Sequence, residues 1–358
     1  GRFMTTVTYP YDEQTQSWTS TSSYPNTKLK PERTKSWEVG LDARILNDIS
    51  LNLTYYRSNT YNQTFYADLS LSSGYSNIPI QSGNIMNEGL EMSLGYNKQW
   101  KDFSFNTNYT LTWNKNRVKR LADGVYNYAT GQPIQMPELS PLTYGHTDAR
   151  LILRVGGSMG DVYGQRLLKR DLNGYILNEE GVGLAMENKE TYLGSILPKM
   201  NMGWSLGFGY KGVNLGMTFT GRFGGIVISE TQSVLDAAGV SKVSADVRDA
   251  GGVQINQSKV SAQTYYQTIQ GTAAYYTYSA TNVRLGELSL SYTLPKKWFD
   301  NKVGMTVGLV GKNLWMIYCK APFDPELTTS AASNFYQGFD AYMLPSTRNF
   351  GFNVKFQF

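Results

Sequence analysis

Cysteine and histidine are almost missing: Cys319 and His146 are the single examples in 358 residues. One thiol excludes an intrachain disulfide and carries little information about compartment. One imidazole leaves too little for a His-based metal site or a Ser-His-Asp triad, so no cofactor, metal or enzymatic activity is expected. Charge is also scarce, at 17%, against roughly 25% in an ordinary soluble domain. The net charge of +5 is spread along the chain, and no basic tract marks a nucleic-acid partner. No apolar run approaches about 18 residues, which excludes a membrane-spanning helix. The opening Gly1-Arg2-Phe3 has neither Met nor an apolar run behind it, and the expectation is a piece of a longer protein.

What is present is alternation. In Asn349 to Phe358, Phe350, Phe352, Val354, Phe356 and Phe358 fall on one parity, and Asn349, Gly351, Asn353, Lys355 and Gln357 on the other. A strand sends successive side chains to opposite faces, so this one has an aromatic face and a polar face. The same pattern recurs. Trp37, Val39 and Leu41 alternate with Glu38, Gly40 and Asp42. Phe103, Phe105, Thr107, Tyr109, Leu111 and Trp113 alternate with Ser104, Asn106, Asn108, Thr110 and Thr112. Further strands are read at 1–9, 51–55, 90–96, 149–155, 162–169, 202–210, 213–219, 283–294 and 303–311.

The connections have two sizes. Short turns at 45–49, 97–102, 211–212 and 295–302 alternate with long loops at 10–33, 61–86, 117–148, 171–200, 224–280 and 313–348. Membrane β-barrels put short turns on the periplasmic side and long loops outside. About twelve strands result, the last running down to a periplasmic C-terminus. A soluble β-sandwich also alternates, but it does not combine long aromatic strands with so many very long loops. The fold expected is all-β, a transmembrane antiparallel β-barrel in the outer membrane.

Particular residues then carry a family resemblance. Leu29-Lys30-Pro31-Glu32-Arg33-Thr34 followed by Trp37-Glu38-Val39-Gly40-Leu41, then Asn87-Glu88-Gly89-Leu90-Glu91, resemble segments of SusC/RagA-like TonB-dependent transporters. So do Arg284-Leu285 with Leu288-Ser289-Leu290-Ser291-Tyr292-Thr293-Leu294-Pro295, Gly311-Lys312-Asn313-Leu314, Asp324-Pro325-Glu326, and Pro345 with Arg348. These elements run in family order from residue 29 to the terminal strand. The resemblance implies a barrel of roughly 22 strands with an N-terminal plug. Residues 1–358 contain neither the plug nor an N-terminal extension, so the chain is expected to be the C-terminal part of the barrel. The implied function is active uptake of oligosaccharides or oligopeptides. The implied partners are a SusD-like surface lipoprotein acting as a lid, TonB reached through the missing N-terminal region, and the lipid bilayer. A dimer of transporter–lipoprotein pairs is also implied. The competing reading is a self-contained porin or adhesin.

Candidate functional residues follow. Glu38, Asp42, Arg44, Glu91, Asn106, Asn108 and Arg222 (with Asn52 and Asn114) sit on the polar parity and are read as lumen-facing. There they either solvate a channel and hold a plug or touch cargo. Tyr265, Tyr266, Tyr275, Tyr276, Trp315, Tyr318, Phe335 and Tyr336 are assigned to long loops, where aromatic faces stack on sugars or peptides, or pack among themselves. Trp100, Trp113 and Trp298 are read as interfacial girdle. Glu138, Asp148, Asp161, Asp171, Glu179, Glu180 and Glu187 are the carboxylates near the long loops, without the spacing of a calcium loop. Phe358 is the expected recognition signal for outer-membrane insertion.

Overall fold

The structure is a computed structural model that describes residues 11–12, 17–18, 29–68, 75, 77–81, 83–121, 138–171, 174–175, 184–255, 258–300, 302–327, 329 and 334–358. Nine strands form one antiparallel sheet, here called the wall. They are β1 (Arg33–Ile45), β2 (Ile49–Tyr61), β3 (Asn84–Trp100), β4 (Phe103–Arg120) and β5 (Met200–Tyr210), then β6 (Val213–Phe223), β7 (Asn282–Leu294), β8 (Gly304–Cys319) and β9 (Asn349–Gln357). Each strand pairs only with its sequence neighbours in this sheet, so the wall is a meander. β1 and β9 are its edges and do not pair with each other, so the described wall is an open part of a barrel.

The register fixes which side chains share a face. One row across β1 to β5 reads Leu41, Leu53, Met92, Leu111 and Met202. The next reads Ala43, Leu51, Leu94, Tyr109 and Trp204, continuing to Phe219 and Leu285. Between them, on the opposite face, lie Asp42, Asn52, Ser93, Thr110 and Gly203. One face is therefore apolar and the other polar along the whole sheet. The apolar face is not covered by protein: Leu94 is 42% exposed, Leu309 64% and Phe352 80%.

The apolar band has edges. On β4 it runs from Phe103 to Trp113, about ten residue steps, or about 33 Å along the strand. At a strand tilt of about 40° that is about 25 Å of height, the apolar thickness of an outer-membrane barrel. Above Trp113 the same face turns charged, with Lys115 facing Glu88 and Arg57. Near its lower edge, Lys98, opposite Phe105, pairs with Asp48. Trp37 and Trp315 stand near the upper edge and Trp100 and Trp298 at the lower end, all exposed. Trp100 stacks on Phe103 with ring centroids 5.7 Å apart.

Every short turn lies at the lower end. Lys211 and Gly212 both have positive φ (45° and 88°), the backbone of a two-residue type I′ hairpin. The described parts of the long connections lie at the upper end, and there they fold into a cap. Residues 138–143, 150–154, 161–168 and 186–195 form a four-stranded sheet, and 226–229, 277–279 and 339–340 a three-stranded one. Three helices follow the second sheet's first strand: α1 (Glu230–Ala237), α2 (Lys242–Asp249) and α3 (Ala262–Ile269). Each starts at a serine (Ser229, Ser241, Ser261) whose side chain accepts the backbone N–H three residues on, satisfying a donor the helix leaves open.

Two expected wall strands are cap strands instead. Residues 149–155 and 162–169 belong to the four-stranded sheet, and β4 pairs directly with β5. The reason lies in the side chains. Leu151, Ile152 and Leu153 are all buried, whereas a wall strand must alternate. The expected strand at Gly1–Tyr9 lies outside the described residues. That leaves nine of the about twelve strands in the wall.

The protein's hydrophobic core sits in the cap, not in the wall. One cluster joins Tyr144, Leu151, Val162, Ile196, Ile228 and Phe339, drawn from separate long connections. A second joins Phe65, Ile80, Ile85, Val118, Leu139 and Leu153, seating a small hairpin (Thr64–Asp68 with Asn77–Gln81) on the upper wall. A sheet between lipid and water has no interior to bury, so buried apolar area collects where protein packs on protein.

Candidate functional site: the polar face and its cap

The polar face is built from small and amide side chains. Gly207 and Gly216 share a row with Asn97 and Asn106, and Ser205 and Thr218 share the next with Asn108 and Gly95. Ser93 Oγ donates to Asn108 Oδ1 at 3.1 Å, and Asn116 Nδ2 to Asn87 Oδ1 at 2.9 Å. Tyr56 is the large exception. Its hydroxyl donates to Asn114 Oδ1 at 2.9 Å, and its ring lies across Gly89. A Cβ at Gly89 would stand 2.6 Å from that ring and 2.5 Å from the Trp113 carbonyl, so only glycine fits beneath the ring.

The register places Glu38, Asp42, Arg44, Glu91, Asn106, Asn108 and Arg222 on this polar face. The first six are exposed. Arg222 is not: it is 9% exposed and lies under the cap, donating to the Ile196 carbonyl at 2.8 Å. It holds protein to protein rather than facing an open channel.

The aromatic candidates need larger corrections. Trp315 and Tyr318 are not in a loop. β8 continues to Cys319, and Trp315 faces Leu285 and Tyr318 faces Val283 on the apolar side. The expected loop start at Asn313 is a bulge within β8 instead: Asn313 has φ 53°, and two β8 residues are passed between the Leu285–Trp315 and Glu287–Lys312 pairs. Tyr266 and Tyr276 are buried in the helical cluster of the cap with Leu168, Ile255 and Ile269. Tyr265 and Tyr275 pack against the same cluster, and the Tyr275 hydroxyl accepts the Leu168 N–H at 3.2 Å. Phe335 and Tyr336 pack against the Tyr144 cluster. All six rings take part in the cap's own packing. Glu179 and Glu180 lie outside the described residues, and among the described residues no group of His, Cys, Asp or Glu converges as a metal site.

The polar cluster that ties the wall to the cap escapes a linear reading. The Arg284 guanidinium donates from Nη1 to Asp324 Oδ2 at 2.9 Å and from Nη2 to Asp324 Oδ1 at 2.8 Å. Its Nη2 lies 3.2 Å from Glu326 Oε2. Asn282 Nδ2 donates to Glu326 Oε1 at 3.1 Å, while Asn282 Oδ1 accepts from Arg284. Arg284 and Asp324 side chains are 11% and 8% exposed. Burial raises the Asp324 carboxyl, but the bonds from Arg284 and the Glu326 N–H outweigh it and hold the group below the usual carboxylate range. The segment after Asp324 then laces the cap. Phe339–Asp340 pairs in parallel with Ile228–Ser229, the Tyr144 hydroxyl donates to the Phe335 carbonyl at 2.7 Å, and the Tyr342 N–H to Thr231 Oγ1 at 2.7 Å. The Arg284 and Asp324-Pro325-Glu326 motifs, forty residues apart in sequence, are thus two halves of one contact.

A sheet with a lipid-height apolar face, a polar inner face, turns at one end and a packed cap at the other is the wall of a transmembrane β-barrel. The chain belongs to the TonB dependent receptor-like, beta-barrel family, whose model matches residues 4–314. It is similar to TonB-dependent receptor P3 of Formosa agariphila, 26% identical over 94% of this chain and 35% of that protein. It is also similar to TonB-dependent receptor SusC of Bacteroides thetaiotaomicron, 28% identical over 32% of this chain and 12% of that protein. Among solved structures, the RagAB peptide importer in its closed-closed state matches with a TM-score of 0.66 at 18% identity, covering 98% of this chain and 38% of that one. The chain thus spans about a third of the length of the relatives it matches end to end.

Proposed function

We propose that residues 1–358 form the C-terminal part of the barrel of an outer-membrane importer that takes up oligosaccharides or oligopeptides. A plug and an N-terminal extension would be supplied from outside these residues. The observation that carries the reading is the two-faced open wall: its edges β1 and β9, unpaired among the described residues, call for further strands to close a wide lumen. The likeness to SusC and to a RagAB peptide importer supports a nutrient cargo and a SusD-like lipoprotein seated on the cap. Exposed apolar cap residues Leu235, Val240, Val243 and Leu344 are the surface for such a lid. TonB would act through a segment outside residues 1–358, and transporter–lipoprotein pairs would dimerise. The open edges disfavour the self-contained porin or adhesin.

Uptake separates these readings. Cells carrying the full-length receptor are expected to accumulate labelled oligosaccharides or oligopeptides, and to stop when TonB is deleted. TonB-independent uptake by diffusion would favour the porin. Which cargo is taken up identifies the substrate class. Phe358, 98% exposed at the lower end of β9, would serve as the insertion signal. Its deletion is expected to reduce the heat-modifiable receptor in outer-membrane fractions several-fold, and an unchanged amount removes that role.

A further inference from the structure

We propose that the outward face of the wall, just above its apolar band, binds the phosphate of a lipid headgroup. This rests on reading the apolar face as membrane-embedded. Two rows of the ladder carry it. The first reads Trp37, Arg57, Glu88 and Lys115 across β1 to β4, and the next above reads Lys35, Asn59, Met86 and Arg117. Neighbouring strands lie about 4.8 Å apart and same-face residues about 6.8 Å apart along a strand. Lys35, Arg57, Lys115 and Arg117 therefore border an area of about 15 by 7 Å, within which Met86 is buried. Glu88 is its one carboxylate, 3.8 Å from Lys115. Among the described residues no acidic side chain lies within ion-pair distance of Lys35, Arg57 or Arg117.

The patch opens into a seam. β4 pairs with β5 only up to Trp113–Met200, and above that its edge is held at Asn114 by the Lys199 carbonyl and at Val118 by Gly156 and Gly157. Between those points lies a cleft of about 530 Å³ whose cationic lining is Lys115, Arg117 and Lys199. The one carboxylate lining it, Asp161, is buried and already accepts from the Ser158 N–H and the Tyr192 hydroxyl. Lys35, Arg57, Lys115 and Arg117, directly above an aromatic edge at the height where acyl chains give way to headgroups, match a phosphate anchored by its tail in the band below. Beside lipid these charges are screened less than on an open surface.

Native mass spectrometry of the full-length receptor tests this, with monophosphoryl lipid A and its dephosphorylated form as probes. The phosphorylated lipid is expected to bind at least tenfold tighter. That preference is expected to vanish in K35Q/K115Q/R117Q, and to persist both in K35R/K115R/R117K and in K101Q/K211Q at the opposite end. Equal binding of both lipids overturns the proposal, as does an unchanged triple variant. Occupancy by inorganic phosphate at the same affinity also overturns it, by making the site one for free anions. So does a receptor dimer that the triple variant dissolves. The heat-modifiable band shows that each variant folds. A receptor that does not insert into phosphatidylcholine vesicles sinks the membrane reading and the proposal together, whereas one that inserts without preference sinks the proposal alone.

Discussion

Replacing Arg284 with methionine in the full-length receptor is expected to release the 320–348 connection from the wall while the barrel stays folded. Removing one partner of a buried, hydrogen-bonded ion pair costs about 3–5 kcal/mol, because the other charge stays buried without compensation. Here Asp324 would be left beside Glu326, which Arg222 also faces. Local opening of the cap is then expected to rise about a hundredfold to several-thousandfold, read as hydrogen exchange or limited proteolysis between Asp324 and Arg348. Asp324→Ala is expected to do less, since Arg284 keeps Glu326 and Asn282. The double variant R284M/D324L is expected to recover most of the loss, because a buried pair replaced by apolar groups of like size is often neutral. Equal proteolysis of wild type and R284M would remove the latch from the cap's stability.

The same pair sets a pH dependence. Asp324 has a folded-state pKa below its unfolded value of about 3.9. Its contribution is therefore complete above that unfolded value and is lost as pH falls through the depressed folded one. Exchange protection of the 320–348 segment is expected to be flat from neutral pH to about 5 and to fall in stronger acid. A loss between pH 6 and 7 would point to a different group.

Wall and cap were not equally legible in the sequence, and the difference is physical. A wall strand has lipid on one face and water on the other, so every residue is constrained by parity alone. Phe103 to Trp113 declares its two faces with no reference to any other segment. The cap is packed like a small soluble domain from pieces far apart. Ser229 meets Asp340 across 111 residues, and no local pattern encodes that. Leu151-Ile152-Leu153 carried a usable signal, a run where a wall strand would alternate. The serines before α1, α2 and α3 were helix starts in plain view, masked by short, Ser- and Gly-bounded segments. The loop aromatics misled because Tyr266 and Tyr276 are equally suited to stacking on a ligand and to filling a core. The Arg284 latch was visible only as two motifs of a resemblance, with nothing local to say that they touch.

Two substitutions one residue apart, Leu94→Arg and Ser93→Arg, are expected to differ sharply in the full-length receptor. Leu94 lies mid-height on β3, in the row of Leu51, Tyr109 and Trp204, with 42% of its surface open on the apolar face. A cation there must sit in hydrocarbon or drag water and headgroups toward it, at about 2–4 kcal/mol for a midplane site. Ser93 points the other way, into the row of Asn52 and Thr110, beside Asn108. An arginine on that face can extend into a wet lumen, and about 1 kcal/mol or less is expected from the lost hydrogen bond to Asn108. Urea titration of the receptor refolded into vesicles, followed by tryptophan fluorescence, measures both. The comparison is strict because strand, depth and introduced residue are the same and only the face differs. Equal destabilisation by the two variants would mean that both faces see the same solvent, and the wall would then be a sheet of a soluble protein.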